Sequence, residues 1–219
     1  TYLGLEERSG IANEGKGDLF VSIHCNSTSG NKSASGVETY FANTASDTAA
    51  ERLAAIENAT TTQKMSELEQ ILGGLLRGAF TPMSADLAES VQHRLYAEAQ
   101  KSRTDTKDYG VKSALFYVLL TAQMPAILVE TSFISNAKDE KKLKDDKHLE
   151  KLAKAVAEGV DSYLQSLVPV RSVIAEPKES KTPSPEKADA TEKREKDPPK
   201  GKSNSGASTS GSGAAPKVA

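Results

Sequence analysis

Residues Leu19 to Asn26 read Leu-Phe-Val-Ser-Ile-His-Cys-Asn, and this stretch decides the fold class. Four apolar residues precede a histidine, and a polar, glycine-containing segment follows from Asn26 to Gly36. A short apolar run bounded by turn residues is typical of a strand in a sheet that is covered on both faces. We therefore expect a buried strand with His24 at its carboxyl end, where open α/β sheets bind their ligands.

A second run of the same kind reads Ala126-Ile-Leu-Val-Glu-Thr131 and places Glu130 near its end. A carboxylate that ends an apolar strand is desolvated, which raises its pKa towards the range of a useful general base. We expect the ends of the two strands to face one site that contains both His24 and Glu130.

Each of these residues also has a structural interpretation. His24 can be a hydrogen-bonded residue at a strand end, and Glu130 can be paired with a structural cation or capped by backbone amides. Cys25 suggests a thiol nucleophile, although a lone cysteine is more often a small buried hydrophobic residue. Metal-assisted hydrolysis by zinc usually needs three protein ligands. The sequence has no second histidine at ligand spacing from His24 and no His-Glu-x-x-His segment.

The rest of the chain alternates between strand and helix patterns. This alternation predicts an α/β fold with a mixed or largely parallel sheet and helices on both faces. Apolar residues in the helical segments recur at intervals of three and four. We predict helices at Leu5 to Ala12, Thr48 to Asn58, Met65 to Leu76 (with an end or hinge at Gly73-Gly74 or Gly78), Leu87 to Ala99 and Leu149 to Leu164, a half-exposed strand at Val37 to Phe41, another strand at Phe116 to Leu120, and a charged loop at Lys101 to Tyr109.

Composition limits the function classes. The 219 residues carry a net charge of -2, so no strong field directs the chain to nucleic acid. No apolar run approaches the ~18 residues of a membrane span. Prolines mixed with Lys, Glu, Ser and Gly dominate the last part of the chain, which has no aromatic residue after Ile174. We predict one domain over residues 1–168 and a disordered tail over 169–219, because the tail cannot bury enough apolar surface to order itself.

Residues from about Leu5 to Leu164 resemble the C-terminal two-thirds of the zinc-dependent N-acetylmuramoyl-L-alanine amidases of the periplasmic cell-separation type. The resemblance rests on several motifs that occur in the same order. They are Leu5-Glu-Glu-Arg8 followed by Ile11-Ala-Asn13, Asp18-Leu-Phe-Val-Ser-Ile-His-Cys-Asn26, Gly36-Val-Glu-Thr-Tyr-Phe41 and Pro125-Ala-Ile-Leu-Val-Glu-Thr-Ser-Phe-Ile-Ser-Asn136, together with the closing helix.

The resemblance implies that His24 is a zinc ligand and that Glu130 is the general base. The implied reaction is hydrolysis of the amide between N-acetylmuramoyl residues and L-alanine in peptidoglycan, by zinc-activated water. The family's other two protein ligands, a His and a Glu, lie upstream of the region that matches Thr1. The sequence is therefore expected to be a fragment with an incomplete zinc site, inactive as given. The implied location is the periplasm or cell envelope, although no export signal is recognisable.

The resemblance also implies that residues from about 45 to 83 form a helical regulatory insertion. In this family an acidic side chain from such a helix can occupy the metal until an activator protein displaces it, and Glu57 is the expected plug. Glu57 can equally be an ordinary helix-surface charge, like Glu51, Glu67 and Glu69. Asn26 is expected to orient the substrate or to cap the loop that follows it.

Two other function classes fit the same residues. In the first, the strand ends bind glycan or peptide without metal, as a non-catalytic peptidoglycan-binding module. In the second, the helix at Met65 to Leu76 docks a protein partner. The hydrolase interpretation is preferred because it explains both strand-end residues, His24 and Glu130, at once.

Overall fold

A computed structural model of the chain describes residues 2–72 and 80–174, with side chains as far as residue 167. The predicted hinge glycines and the predicted tail from residue 175 onward lie outside the described residues. The elements are α1 (Leu5–Glu14), β1 (Phe20–Asn26), β2 (Gly36–Ala42), α2 (Thr48–Glu57), α3 (Thr62–Leu72), α4 (Thr81–Ser102), β3 (Lys107–Ala114), α5 (Tyr117–Leu120), β4 (Ala126–Phe133), α6 (Ala137–Leu143) and α7 (Asp146–Ile174).

The described strands form one sheet in the order β1-β4-β2-β3. β1 pairs parallel to β4 and β2 pairs parallel to β3, whereas β2 and β4 are antiparallel. The sheet is therefore mixed, which confirms the predicted fold class.

Helices cover both faces of the sheet. Each face carries apolar side chains, because successive residues of a strand point to opposite faces. On one face, Ile127 and Val129 of β4 pack with Leu95 of α4 and Val156 of α7. The other face, which carries Leu128, packs against α2, α3 and α5. α4 and α7 approach closely at Gly159, where a Cβ atom would lie 2.5 Å from the Cα atom of Val91.

The burial of two strands differs from the prediction. β1 lies at the edge of the described sheet, and Ile23 is 59% exposed. The fully buried strand is β4, which has a neighbour on each side. β2 was predicted to be half-exposed, but residues 36–40 are buried because β2 lies between β4 and β3. An apolar pattern reports which residues avoid water and does not report which strands are adjacent.

Two element predictions were wrong. Phe116 to Leu120 was predicted as a strand, and Tyr117–Leu120 forms the short helix α5. A short apolar run does not distinguish a strand from a buried helical turn. β3 was missed because its sequence, Lys-Asp-Tyr-Gly-Val-Lys-Ser-Ala, has no apolar run. Across residues 2–72 and 80–174, no helix is both long enough and apolar enough to cross a bilayer.

Candidate metal centre

Three ionisable side chains lie side by side on one face of the sheet. His24 of β1 is the register partner of Glu130 of β4, and Glu130 is in turn the partner of Glu38 of β2. The three residues therefore form a row across adjacent strands. This is the face that α2 covers. His24 and Glu130 were predicted to face one site and do lie together, but both lie inside their strands, which continue to Asn26 and Phe133, and not at the strand ends.

The end of α2 places Glu57 over this row. Glu57 is the last residue of the helix, and its Oε2 atom lies 3.1 Å from Nδ1 of His24. The next residue, Asn58, is buried and fixes the helix end with its side-chain amide. Its Nδ2 atom donates to the carbonyl of Leu115 at 2.6 Å, and its Oδ1 atom accepts from the amide of Tyr117 at 2.8 Å.

His24, Glu57 and Glu130 form a group of potential metal ligands. One ligand atom from each residue lies within 4.8 Å of the others. The second imidazole nitrogen of His24, Nε2, is 2.8 Å from the hydroxyl of Ser22. The hydrogen bond with His24 lowers the pKa of Glu57 despite partial burial, so Glu57 is a carboxylate at neutral pH.

Glu130 is completely buried, and both its carboxyl oxygens lack a hydrogen-bond partner among the described residues. Burial, reinforced by the charges of Glu57 and Glu38, raises the pKa of Glu130 to about 8. Neither structural interpretation of Glu130 fits this environment, because the described residues supply no cation or backbone amide to its oxygens.

The donor set fits a zinc ion. Zinc binds imidazole nitrogen and carboxylate oxygen, and both are present. A buried, unpartnered carboxyl group is costly, and a cation beside it would compensate the charge. The sequence indicated that His24 and Glu130 lie together and named Glu57 as a candidate. Only the structure places Glu57 in contact with His24.

Cys25 does not belong to this group. It is exposed, and its Sγ atom lies 3.6 Å from the hydroxyl of Thr131. Because side chains alternate along a strand, Cys25 points to the opposite face of the sheet from His24.

A groove of about 440 Å³ lies beside the row, lined in part by Asn26, Glu38 and Lys112. Asn26 is buried, and its side-chain amide donates to Glu38 at 2.5 Å. Nζ of Lys112 lies 3.1 Å from Glu38 and 3.5 Å from Asp47. Burial lowers the pKa of Lys112, but the two carboxylates outweigh it and hold the pKa above its ordinary value.

Sequence reasoning missed Glu38 and Lys112. Glu38 lies in Val37-Glu-Thr-Tyr-Phe41, where a carboxylate interrupts an apolar pattern just as Glu130 does. That signal was available in the sequence. No local signal identified Lys112, because its strand was itself missed.

The raised pKa of Glu130 gives a testable dependence of stability on pH. In the metal-free protein, the folded state ionises Glu130 only near pH 8, whereas the unfolded state ionises it near 4.5. The wild-type protein therefore loses stability between these values, because the unfolded state releases the proton first. Glu130→Gln cannot ionise and avoids this loss. We expect the variant to match the wild type at pH 4 and to be more stable by roughly 2–4 kcal/mol at pH 8.

Urea unfolding of the wild type and of Glu130→Gln, in the presence of a metal chelator and from pH 4 to pH 9, measures the difference in their free energies of unfolding. Glu150→Gln, at an exposed position, is the matched control. A stability difference for Glu130→Gln that does not change with pH would contradict the assigned environment.

Comparisons with known proteins agree on one family. The sequence pattern described as N-acetylmuramoyl-L-alanine amidase matches residues 1–162. Uncharacterized protein YqiI of Bacillus subtilis is 36% identical over 162 residues, which are 74% of this chain and 59% of that protein. N-acetylmuramoyl-L-alanine amidase LytC of Bacillus subtilis is 34% identical over 163 residues, which are 74% of this chain and 25% of that protein.

Among solved structures, an N-acetylmuramoyl-L-alanine amidase from Clostridium difficile 630 is similar to the chain with a TM-score of 0.56 and 27% identity. The similarity covers 76% of this chain and 68% of that chain. The chain thus spans about three-fifths of the length of one curated relative and a quarter of the other.

Proposed function

The chain belongs to the N-acetylmuramoyl-L-alanine amidase family. We propose that it hydrolyses the amide between N-acetylmuramoyl residues and the L-alanine of the stem peptide in peptidoglycan. The observation that carries the proposal is the buried carboxyl group of Glu130 beside His24, which has no hydrogen-bond partner within the described part of the chain. A structural carboxylate is paired, whereas a general base must have its oxygens available to a proton.

Zinc is the proposed cofactor, with His24 as one of its ligands. A bound zinc ion supplies Lewis-acid polarisation of the scissile carbonyl and makes a nearby water more acidic. Glu130 accepts the proton of the attacking water and passes it to the leaving amine. Its raised pKa suits both transfers, because a group that titrates near neutral pH both accepts and releases a proton readily.

Glu57 is proposed to hold the site closed. Its carboxylate contacts the expected zinc ligand His24 at 3.1 Å. An activator protein that moves α2 would withdraw Glu57 and open the centre. The proposed place of action is the periplasm or cell envelope, where peptidoglycan lies, and the proposed process is cell separation.

Asn26 is proposed to act on the substrate indirectly, by fixing the loop that lines the groove. Its side chain holds Glu38, and its carbonyl accepts from the amide of Ile134 at 2.8 Å. Asn26 therefore anchors the start of the polar loop that forms one wall of the groove.

No specific observation favours the other two function classes. The partner-docking interpretation needs a continuous open apolar face on α3; Met65 is 3% exposed and belongs to the core, and Ile71, at 76% exposed, is the large exposed apolar side chain that the described part of this helix offers. The non-catalytic module offers no reason for a buried carboxyl group at the centre of the site that the described residues leave without a hydrogen-bond partner.

The test combines zinc binding with product identification. We expect the full-length protein to bind zinc, and His24→Ala to weaken that binding by more than about tenfold, since one ligand is lost. His93→Ala is the control, because His93 is exposed on α4. Mass spectrometry of digested sacculi should show stem peptides with a free N-terminal L-alanine and intact glycan strands. Zinc binding that is unaffected by His24→Ala, or products cleaved within the glycan, would contradict the proposal.

A further inference from the structure

Lys112 holds two carboxylates that come from different parts of the fold. One is Glu38 of β2, which is 4% exposed and lies 3.1 Å from Nζ. The other is Asp47, which lies 3.5 Å from Nζ and whose side chain is 45% exposed. The first contact is a buried pair within the sheet, and the second reaches Lys112 from the helical insertion.

Asp47 is the N-cap residue of α2. Its Oδ1 atom accepts a hydrogen bond from the amide of Ala50 at 2.7 Å. Its Oδ2 atom faces Lys112. Asp47 thus links the start of α2 to Lys112 of β3, and the preceding residue is also tied to β3, because the amide of Ser46 donates to the carbonyl of Ser113 at 2.9 Å.

α2 therefore presents a carboxylate at each end. Glu57 ends the helix and contacts His24, while Asp47 begins it and contacts Lys112. Ten residues separate them, which corresponds to about 15 Å along a helix. The helix that covers the row thus occupies two cationic or metal-ligating positions at once.

The groove beside Lys112 combines aromatic, polar and charged side chains. The phenol ring of Tyr109 lies under Nζ of Lys112, with 5.6 Å to the ring centroid, and Phe133 packs against Tyr109. Both rings line the groove, together with the polar loop that begins at Asn26. An ammonium group beside apolar rings and a polar wall matches a peptide that carries a carboxylate.

We propose that Lys112 binds a carboxylate of the stem peptide, and that Asp47 occupies this position while α2 is closed. The proposal rests on the proposed function, since it names how the same groove selects its substrate. An ammonium group has three donors, so the substrate carboxylate can replace Asp47 while Glu38 keeps its own contact. The number of charges around Lys112 is then the same in the closed and substrate-bound arrangements.

The competing explanation is structural. Lys112 can serve only to neutralise the buried Glu38. In that case its loss destabilises the fold but does not change how the chain distinguishes one peptide from another. The preference between a carboxylate peptide and its amide is therefore the decisive readout.

The test uses the full chain and two peptides, L-Ala-γ-D-Glu-diaminopimelate and the same peptide with its side carboxyl groups converted to carboxamides. Calorimetry gives the affinity of each. We expect the wild type to prefer the carboxylate form by about fivefold or more, as a charge-assisted hydrogen bond predicts. Lys112→Gln should bring the ratio close to one, Lys112→Arg should keep the preference, and Lys107→Gln, at an exposed position on the same strand, is the control.

Asp47→Asn supplies an independent variant. Asparagine is as good an N-cap residue as aspartate, so α2 keeps its start while the competing charge is removed. We expect this variant to bind the carboxylate peptide several-fold more tightly than the wild type and the amide peptide unchanged. This variant decides the question even if Lys112→Gln does not fold.

A wild-type ratio of one, an undiminished preference in Lys112→Gln, or no gain in Asp47→Asn would overturn the proposal. The binding role of Lys112 and the proposed hydrolysis can be refuted independently of each other. A carboxylate preference without amide cleavage by the full-length protein would refute the proposed function alone. Cleavage without such a preference would refute the role of Lys112 alone.

Discussion

Glu130→Gln is expected to lower the rate of stem-peptide release by about 10²–10⁴-fold, the usual contribution of a general base. Glutamine has nearly the volume of glutamate, so the buried position at the centre of β4 remains filled. It cannot accept a proton from water or return one to the leaving amine. We therefore expect the fold and the zinc content to be retained while hydrolysis is lost.

The measurement is the release of stem peptides from purified sacculi, with zinc content determined on the same samples. Glu150→Gln, which changes an exposed carboxylate on α7, should behave as the wild type. Near-normal release by Glu130→Gln would refute the assignment of the base. Loss of zinc together with activity would instead make Glu130 a ligand.

The second large effect is expected from Glu57→Ala, which should raise basal hydrolysis in the absence of any activator by about 10–100-fold. A hydrogen bond between a carboxylate and a charged or polar partner contributes about 1.5–3 kcal/mol. Removing that contribution shifts the balance between closed and open arrangements by a corresponding factor. The contact that is lost is the 3.1 Å pair between Glu57 and His24.

Glu67→Ala is the matched control, because Glu67 is an exposed carboxylate on α3 of the same insertion. Glu57→Ala should also move the acidic limb of the pH–rate profile to lower pH. The charge of Glu57 helps to raise the pKa of Glu130, so its removal lets Glu130 ionise in more acidic solution. Unchanged basal turnover together with an unchanged profile would exclude Glu57 as the plug.

Local sequence was sufficient to predict those elements whose buried residues form an apolar pattern in the chain. The apolar runs that end at His24 and Glu130 are strands, and the two residues are register partners in adjacent parallel strands. The alternation of helices and strands predicted an α/β fold with a mixed or largely parallel sheet, and the structure shows that the sheet is mixed. These features follow from periodicity and hydrophobicity, which a few neighbouring residues determine.

Local sequence was insufficient where strand order mattered. The two apolar runs looked alike in the sequence, yet β1 lies at the edge of the described sheet and β4 has a neighbour on each side. β3 was missed although it carries Lys112, because an edge strand with polar residues has no apolar run. Strand order depends on long-range pairing, and no short window of sequence contains both partners.

The sequence by itself determined that His24 and Glu130 lie in two strands of an α/β sheet, and that Glu57 lies on a helix between them in the chain. Only the tertiary structure decided that Glu57 reaches His24 and that Glu130 is left without a partner among the described residues. The physical reason is that hydrophobic periodicity specifies elements one at a time. A charge acquires its pKa and its role from neighbours that are distant in sequence and are brought together by packing.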